Sequence, residues 1–253
     1  MKKIKLMALA VSLFSFANAN LFGQQFKALL VTKTAGWHHE SINDGVVAIR
    51  ELAKRNAFDV TWHQDAVKIS DKYLASFQVI ILLSTTGNIF DSSEQKAIER
   101  FIQSGKGYVG IHAASDTEYD WDWYTKLVGR MFHIHPAVQT AKLKFTANKF
   151  PGLQGFADDM LWTDEWYEFG PEKITGLNYI LAVDESTYDP KADWGGAKKG
   201  IGMGAFHPIA WYHNYDGGRS FYTNLGHMPT DYTNEAFLNH VYAGIFWAAT
   251  GKK

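Results

Sequence analysis

The sequence predicts an α/β fold built on a mainly parallel central sheet, with helices on both faces and extra β segments in the second half. Three observations predict it. Short continuous apolar runs alternate with segments of helical periodicity through the first half of the chain, as strands buried on both faces and their crossover helices require. Three polar loops, "GWHHESI", "STTGN" and "GIHAASDT", each follow one of those runs. They therefore fall on one edge of the sheet, the carboxyl edge where such folds place their ligands. The second half breaks into short β-like runs between Gly- and Asp-rich turns.

The elements follow in order. KALLVTK (27–33) is a short apolar run stopped by Gly36 and reads as a buried strand. Over 41–56, Ile42, Val46, Ile49, Leu52 and Ala53 recur at helical spacing, with Ser41 or Asn43 as the expected cap. FDVTWH (58–63) alternates like a strand, and FQVIILL (77–83) is a stronger buried one. Residues 91–103 read as a helix with Asp91 or Ser92 at its start, and Glu94 stands where a capping box needs it. KGYVGIH (106–112) is another strand. Runs at 141–147, 161–169, 178–182, 205–213 and 219–223 read as β, and 235–250 as a closing helix whose apolar side includes His240. Nothing in the pattern calls for a second boundary, so residues 26–250 are expected to form one domain.

Residues 1–19 read as a secretory signal peptide. Lys2, Lys3 and Lys5 precede an apolar stretch from Leu6 to Phe16 that is too short to span a bilayer, and Ala17-Asn18-Ala19 offers small residues for cleavage, which as late as Gly23 is also compatible. The expected location is periplasmic or extracellular, without a membrane anchor. The 253 residues contain no cysteine, which excludes thiol catalysis and thiolate metal binding. A net charge of −1 gives no reason to expect nucleic acid as a partner. Aromatic residues make up 15%, with nine Trp. That suits a protein handling small-molecule carbohydrate through indole platforms, although large cores bury aromatics too. The sequence leaves a homo-oligomer open.

"GYVGIHAAS" (107–115) has the shape of a strand ending in a sharp turn, where class I glutamine amidotransferases carry a nucleophilic cysteine. Here the tip is His112, so cysteine-based amidotransfer is excluded. The Gly-x-Ser-x-Gly elbow is absent as well. "GIGMG" (200–204) lies outside any strand-to-helix context, so no nucleotide cofactor is expected.

The motifs "GWHHESI", "GKGYVGIHAASDT", "LVGRMFHIHP", "DEWYEF", "HPIAWYH" and "GGRSFYTNLGHMP", in that order from about Phe26 to Ala249, resemble the ThuA-like (trehalose-utilisation) family. The resemblance implies a flavodoxin-like three-layer α/β sandwich similar to the class I glutamine amidotransferase domain without its cysteine. It also implies a role in the catabolism of disaccharides or 3-keto sugars.

Several residues then stand out as candidates. His112 is expected to act in proton transfer with a carboxylate, Glu165 or Asp164 of "TDEWYEF", a motif included in the resemblance. His227, in the loop after "GGRSFYTN", joins them. His133 and His135 in "FHIHP" are two apart, so on an extended segment they share a face and can hold a divalent metal, Zn or another. The alternative is a polar loop with two hydrogen-bonded histidines. Of the adjacent pair His38 and His39, His38 is expected to point into the cleft. Trp37, Trp121 and Trp211 are the expected sugar platforms, with "DTEYDWDWY" (116–124) either as a lid presenting Trp121 or Trp123 or as the acidic first turn of a helix carrying Tyr124, Leu127 and Val128. His63 and His240 read as ordinary structural histidines. These features suit a sugar hydrolase, lyase or isomerase, or alternatively a non-catalytic sugar-binding protein on a degenerate scaffold.

Overall fold

The computed structural model describes residues 24–63, 65–147 and 149–253; the expected signal peptide lies outside them. Along the chain, β1 (Lys27–Val31), α1 (Ile42–Arg55), β2 (Asp59–Trp62), α2 (Asp71–Leu74), β3 (Val79–Leu83), α3 (Ser92–Gln103) and β4 (Gly107–Ile111) realise the predicted alternation. After a 3-10 turn at His112–Asp116 come α4 (Asp122–Val128), β5 (Phe132–Ile134), β6 (Gln139–Phe145), β7 (Leu161–Asp164), β8 (Glu168–Phe169) and β9 (Asn178–Asp184). The chain closes with β10 (Ala192–Asp193), β11 (Lys199–Gly200), β12 (His207–Tyr215), β13 (Gly218–Thr223) and α5 (Glu235–Thr250).

The main sheet has nine strands in the order β2-β1-β3-β4-β13-β12-β9-β6-β7. The first five are mutually parallel, in the 2-1-3-4-5 order of flavodoxin-like folds. The remaining four pair antiparallel, so the sheet is mixed. The switch of direction is made by the β12–β13 hairpin, whose two-residue turn places Asp216 and Gly217 at φ 47° and 89°. An Asp-Gly turn of this hand matches the twist of the strands it joins.

Alternate residues of the parallel strands feed two separate cores. Ala28, Leu30, Ile81 and Val109 pack with Ile49 and Leu52 of α1 and Val241 and Ile245 of α5. Leu29, Val31, Ile80 and Tyr108 pack with Leu74, Ile98, Phe101 and Leu127 from α2, α3 and α4. Strand interiors with both faces covered explain the unbroken apolar runs. α5 crosses so close to β4 that a Cβ on Gly107 would run into the carbonyl of Ala248. Among the described residues no helix is long and apolar enough to cross a membrane.

Helix starts divide into one success and one correction. Asp91 caps α3 with a complete capping box to Glu94. Neither Ser41 nor Asn43 caps α1: Ser41 occupies the cap position without a side-chain cap bond, and its hydroxyl donates instead to the Gly226 carbonyl at 3.1 Å. The expected continuous β run over 161–169 is broken between β7 and β8. Glu165, Trp166 and Tyr167 form a connecting segment, so the strict alternation expected of Asp164, Glu165 and Glu168 does not hold.

Candidate active site

The register of the sheet builds the site. Thr223 of β13 lies opposite Ile111 of β4 in parallel pairing, so the next residue of each strand, Asn224 and His112, emerge side by side. His112 has φ 52°, in the left-handed region that few residues other than glycine adopt. Such strain is held in place by surrounding contacts and collects at functional sites. Here the contacts are specific. The Tyr222 hydroxyl donates to the His112 carbonyl at 2.7 Å, and His112 Nδ1 lies 2.7 Å from the Asn224 carbonyl. A carbonyl only accepts, so Nδ1 carries the proton and, in the neutral ring, Nε2 presents its lone pair.

Around His112 Nε2 stand three groups: the Tyr167 hydroxyl at 3.0 Å, His227 Nδ1 at 3.1 Å and Glu165 Oε2 at 3.4 Å. The second oxygen of Glu165 faces His135 Nδ1 at 3.2 Å, and Oε2 also lies 3.2 Å from His227 Nδ1. The His39 ring, 5% exposed, stands edge-on to those of His112 and His227 at centroid separations of 4.8 and 5.5 Å. One donor atom each from His39, His112, Glu165 and His227 falls within 4.8 Å of the others, a grouping that could hold a metal ion.

Main-chain bonds fix the two segments that carry these groups. Asp164, fully buried, accepts from the backbone N–H groups of Glu165, Gly226 and His227 at 2.8, 3.1 and 3.2 Å. Asn224 accepts from Tyr167 N–H at 3.1 Å and donates to the Glu165 carbonyl at 3.2 Å. His207 Nε2 lies 2.8 Å from the Tyr167 carbonyl, and its other nitrogen meets Glu185 at 2.7 Å.

The electrostatics follow from burial and proximity. Burial opposes ionisation of Glu165, but hydrogen bonds to His112 and His227, with charge from His112 and His135, hold its carboxyl well below the usual range. Burial also works against a charged His227, yet the Glu165 carboxylate pulls its pKa above the ordinary histidine value. Burial, reinforced by His112, pushes His39 down to about 3, so that ring is neutral at physiological pH. Burial raises Asp164, and raises its neighbour Asp231 to about 9 with help from the Asp164 charge.

The cluster opens into a cleft of about 550 Å³. It is lined by Glu165, His39, His135, His227 and Tyr167 together with Asp116, Phe132, Lys198, Trp37 and Trp194. Trp37 is 74% exposed and Trp194 49%.

The structure brings together His112, Glu165, His227 and His135 from the expected set, with Trp37 in the same cleft. Asp164 is adjacent, but its oxygens serve the backbone. Four other expectations are corrected. His38 is exposed and pairs with Thr34 Oγ1 at 3.2 Å, while His39 is the member of the pair that turns inward. His133 and His135 do not act together, because β5 is only three residues long, has an irregular register, and is followed by Pro136. His133 Nε2 is engaged with the Lys199 carbonyl at 3.1 Å. Trp121 is buried, donates to Glu99 at 2.9 Å and stacks on Tyr124, so it forms no lid. Trp211 is fully buried in the sheet and donates to the Val128 carbonyl at 2.7 Å.

Residues that sequence reasoning did not single out are His39, Asn224, Tyr167, Asp116, Trp194 and Lys198. His39, Tyr167 and Asn224 lie inside motifs already quoted. Trp194 and Lys198 sit in a Gly- and Lys-rich loop that carries no local signal.

Solved structures share this fold. A ThuA-like protein from Bacteroides uniformis ATCC 8492 is 20% identical with a TM-score of 0.74, and the match covers 92% of this chain and 94% of that one. A ThuA-like protein from Parabacteroides merdae ATCC 43184, also 20% identical, superposes with a TM-score of 0.66 over 90% and 91%. A cytoplasmic protein from Salmonella typhimurium, 8% identical, has a TM-score of 0.60 over 88% and 99%. No curated protein matches the sequence. The ThuA family, described as trehalose utilisation, matches residues 27–248, a span that holds every residue of the site, and the chain belongs to that family.

Proposed function

We propose that this is an exported protein of carbohydrate catabolism that transforms a disaccharide or a 3-keto sugar derivative by proton transfer in the cleft. The observation that carries the reading is the convergence of Glu165, His135 and His227 in one cleft, above the buried His112, with two exposed indoles, Trp37 and Trp194. An exposed indole in a cleft offers an apolar face to the C–H face of a pyranose while its surroundings supply hydrogen bonds. Glu165 and His227 both reach the cleft and lie within proton-transfer distance of each other. A bound sugar hydroxyl or C–H can therefore meet a base and an acid from one pair. His112, fully buried, stands beside both, its Nε2 3.1 Å from His227 Nδ1 and 3.4 Å from Glu165 Oε2. The family's link to trehalose utilisation supports the substrate class.

The test is incubation of the purified protein with trehalose and with 3-keto-trehalose, followed by NMR, alongside binding calorimetry. Conversion of either sugar, abolished in Glu165→Gln while binding persists, is the expected result. Trp37→Ala is expected to weaken binding about tenfold, the effect of losing about 1.4 kcal/mol. Binding without conversion would replace the enzyme by a sugar-binding protein, and absence of both would overturn the reading.

A further inference from the structure

We infer that His39, His112, Glu165 and His227 are the ligands of one divalent first-row transition-metal ion, of which Zn²⁺ is the leading case. The geometry of three of them is already that of a coordination face. His112 Nε2, His227 Nδ1 and Glu165 Oε2 are separated by 3.1, 3.2 and 3.4 Å. A nearly equilateral triangle of that size is what metal–ligand bonds of about 2.0–2.1 Å produce.

His39 supplies the second, independent observation. Its Nδ1 is buried and has no hydrogen-bond partner among the described residues. A buried imidazole nitrogen normally finds a partner, since leaving it unmet forfeits its hydration with nothing in return. Hydrogen bonding within the cluster accounts for the closeness of His112, His227 and Glu165 but not for that of His39. A metal ion accounts for all four, whose donor atoms lie within 4.8 Å of one another.

The outer sphere fits as well. A metal-binding imidazole commonly donates its other N–H to a carbonyl or carboxylate, which fixes the tautomer. His112 does so through Nδ1 to Asn224. The backbone N–H groups of Glu165 and His227 are both held by Asp164. Three imidazoles and a carboxylate without thiolate select a borderline transition ion over Mg²⁺ or Ca²⁺, which take oxygen ligands. Glu165, His39 and His227 also line the cleft, so water or a sugar oxygen could reach the ion as a fifth ligand beside the four protein groups.

With the ion bound, Glu165 and His227 serve as its ligands and the ion takes over the polarising of a sugar oxygen from the free acid–base pair; the experiment needs no sugar, so its outcome is read separately from the substrate class. The full chain is stripped with a chelator, loaded in turn with Zn²⁺, Co²⁺ and Mn²⁺, desalted and measured by inductively coupled plasma mass spectrometry. Titration calorimetry then gives the affinity. About one ion per chain is expected. His39→Ala, His227→Gln and Glu165→Gln should each weaken binding by at least the roughly 10–100-fold that loss of an outer-sphere partner alone costs. His133→Ala should leave it unchanged. The visible spectrum of the Co²⁺ form should change in His227→Gln, and circular dichroism checks that each variant is folded. Retention of none of the three ions by folded wild-type protein overturns the inference. So does stoichiometric binding that is undiminished in His39→Ala and His227→Gln.

Discussion

Replacing Asn224 by Ala should loosen the site and destabilise the fold by an amount that can be worked out bond by bond. The Asn224 side chain is fully buried and serves two main-chain groups, accepting from Tyr167 N–H at 3.1 Å and donating to the Glu165 carbonyl at 3.2 Å. Both belong to the segment between β7 and β8 that presents Glu165 and Tyr167 to the cleft. In Asn224→Ala these groups stay buried and lose their partner. Each such orphan costs about 1–3 kcal/mol, and a water entering the small space left would recover part of it. The expected loss is therefore about 2–4 kcal/mol. Urea unfolding at pH 7 measures it directly, provided the slope with denaturant is unchanged. Asn224→Leu separates hydrogen bonding from packing, because Leu restores volume without restoring either bond, and it should be about as destabilising as Ala. A loss below about 1 kcal/mol for Ala, or near-complete recovery in Leu, would refute the argument.

Two further outcomes are expected. Burial pushes His240, packed against Phe156 and Phe221, down to about 4. Its folded pKa thus lies below the unfolded value near 6.5, and below that pH the unfolded chain takes up the proton first; the stability His240 contributes is present above about pH 6.5 and falls as pH drops toward 4. In His240→Phe the loss of stability between pH 7 and pH 5 should be about 2 kcal/mol smaller than in wild type, and equal slopes for the two proteins in paired urea titrations would contradict this. Gly107→Ala should cost at least about 1–3 kcal/mol, since its Cβ meets the backbone carbonyl of Ala248 rather than a movable side chain; a melting temperature equal to wild type would show that α5 can shift away freely.

The local features were legible in the sequence because they are local in cause. The buried strands β1, β3 and β4 appear as unbroken apolar runs, and the helix of β3–α3–β4 starts at an Asp91 cap whose partners are two and three residues away. The β12–β13 hairpin was equally legible, since Asp216-Gly217 between two β runs is a turn signal. The expectation of a mainly parallel sheet did not use it, and that turn is where the sheet changes direction. Ser41 misled because a cap can be read from spacing alone only if nothing distant competes for the hydroxyl; here the Gly226 carbonyl, 185 residues on, takes it.

By itself the sequence determined the α/β alternation, the absence of thiol chemistry and the three loops sharing the carboxyl edge of the parallel strands. These depend on hydrophobic period, composition and chain direction, all of which are properties of neighbouring residues. Which histidines meet was decided only by the tertiary structure. His112 reaches His227 across 115 positions because β4 and β13 are paired in a register that ends both strands together. Glu165 joins them because the 161–169 run breaks after Asp164, whose carboxylate holds the loop ahead of His227. His39 turns inward while His38 faces solvent, a choice between adjacent residues that no period distinguishes and that the packing of the first loop alone makes. His133 and Trp211 show the converse: residue type marked them, and their bonds to the Lys199 and Val128 carbonyls keep them out of the site.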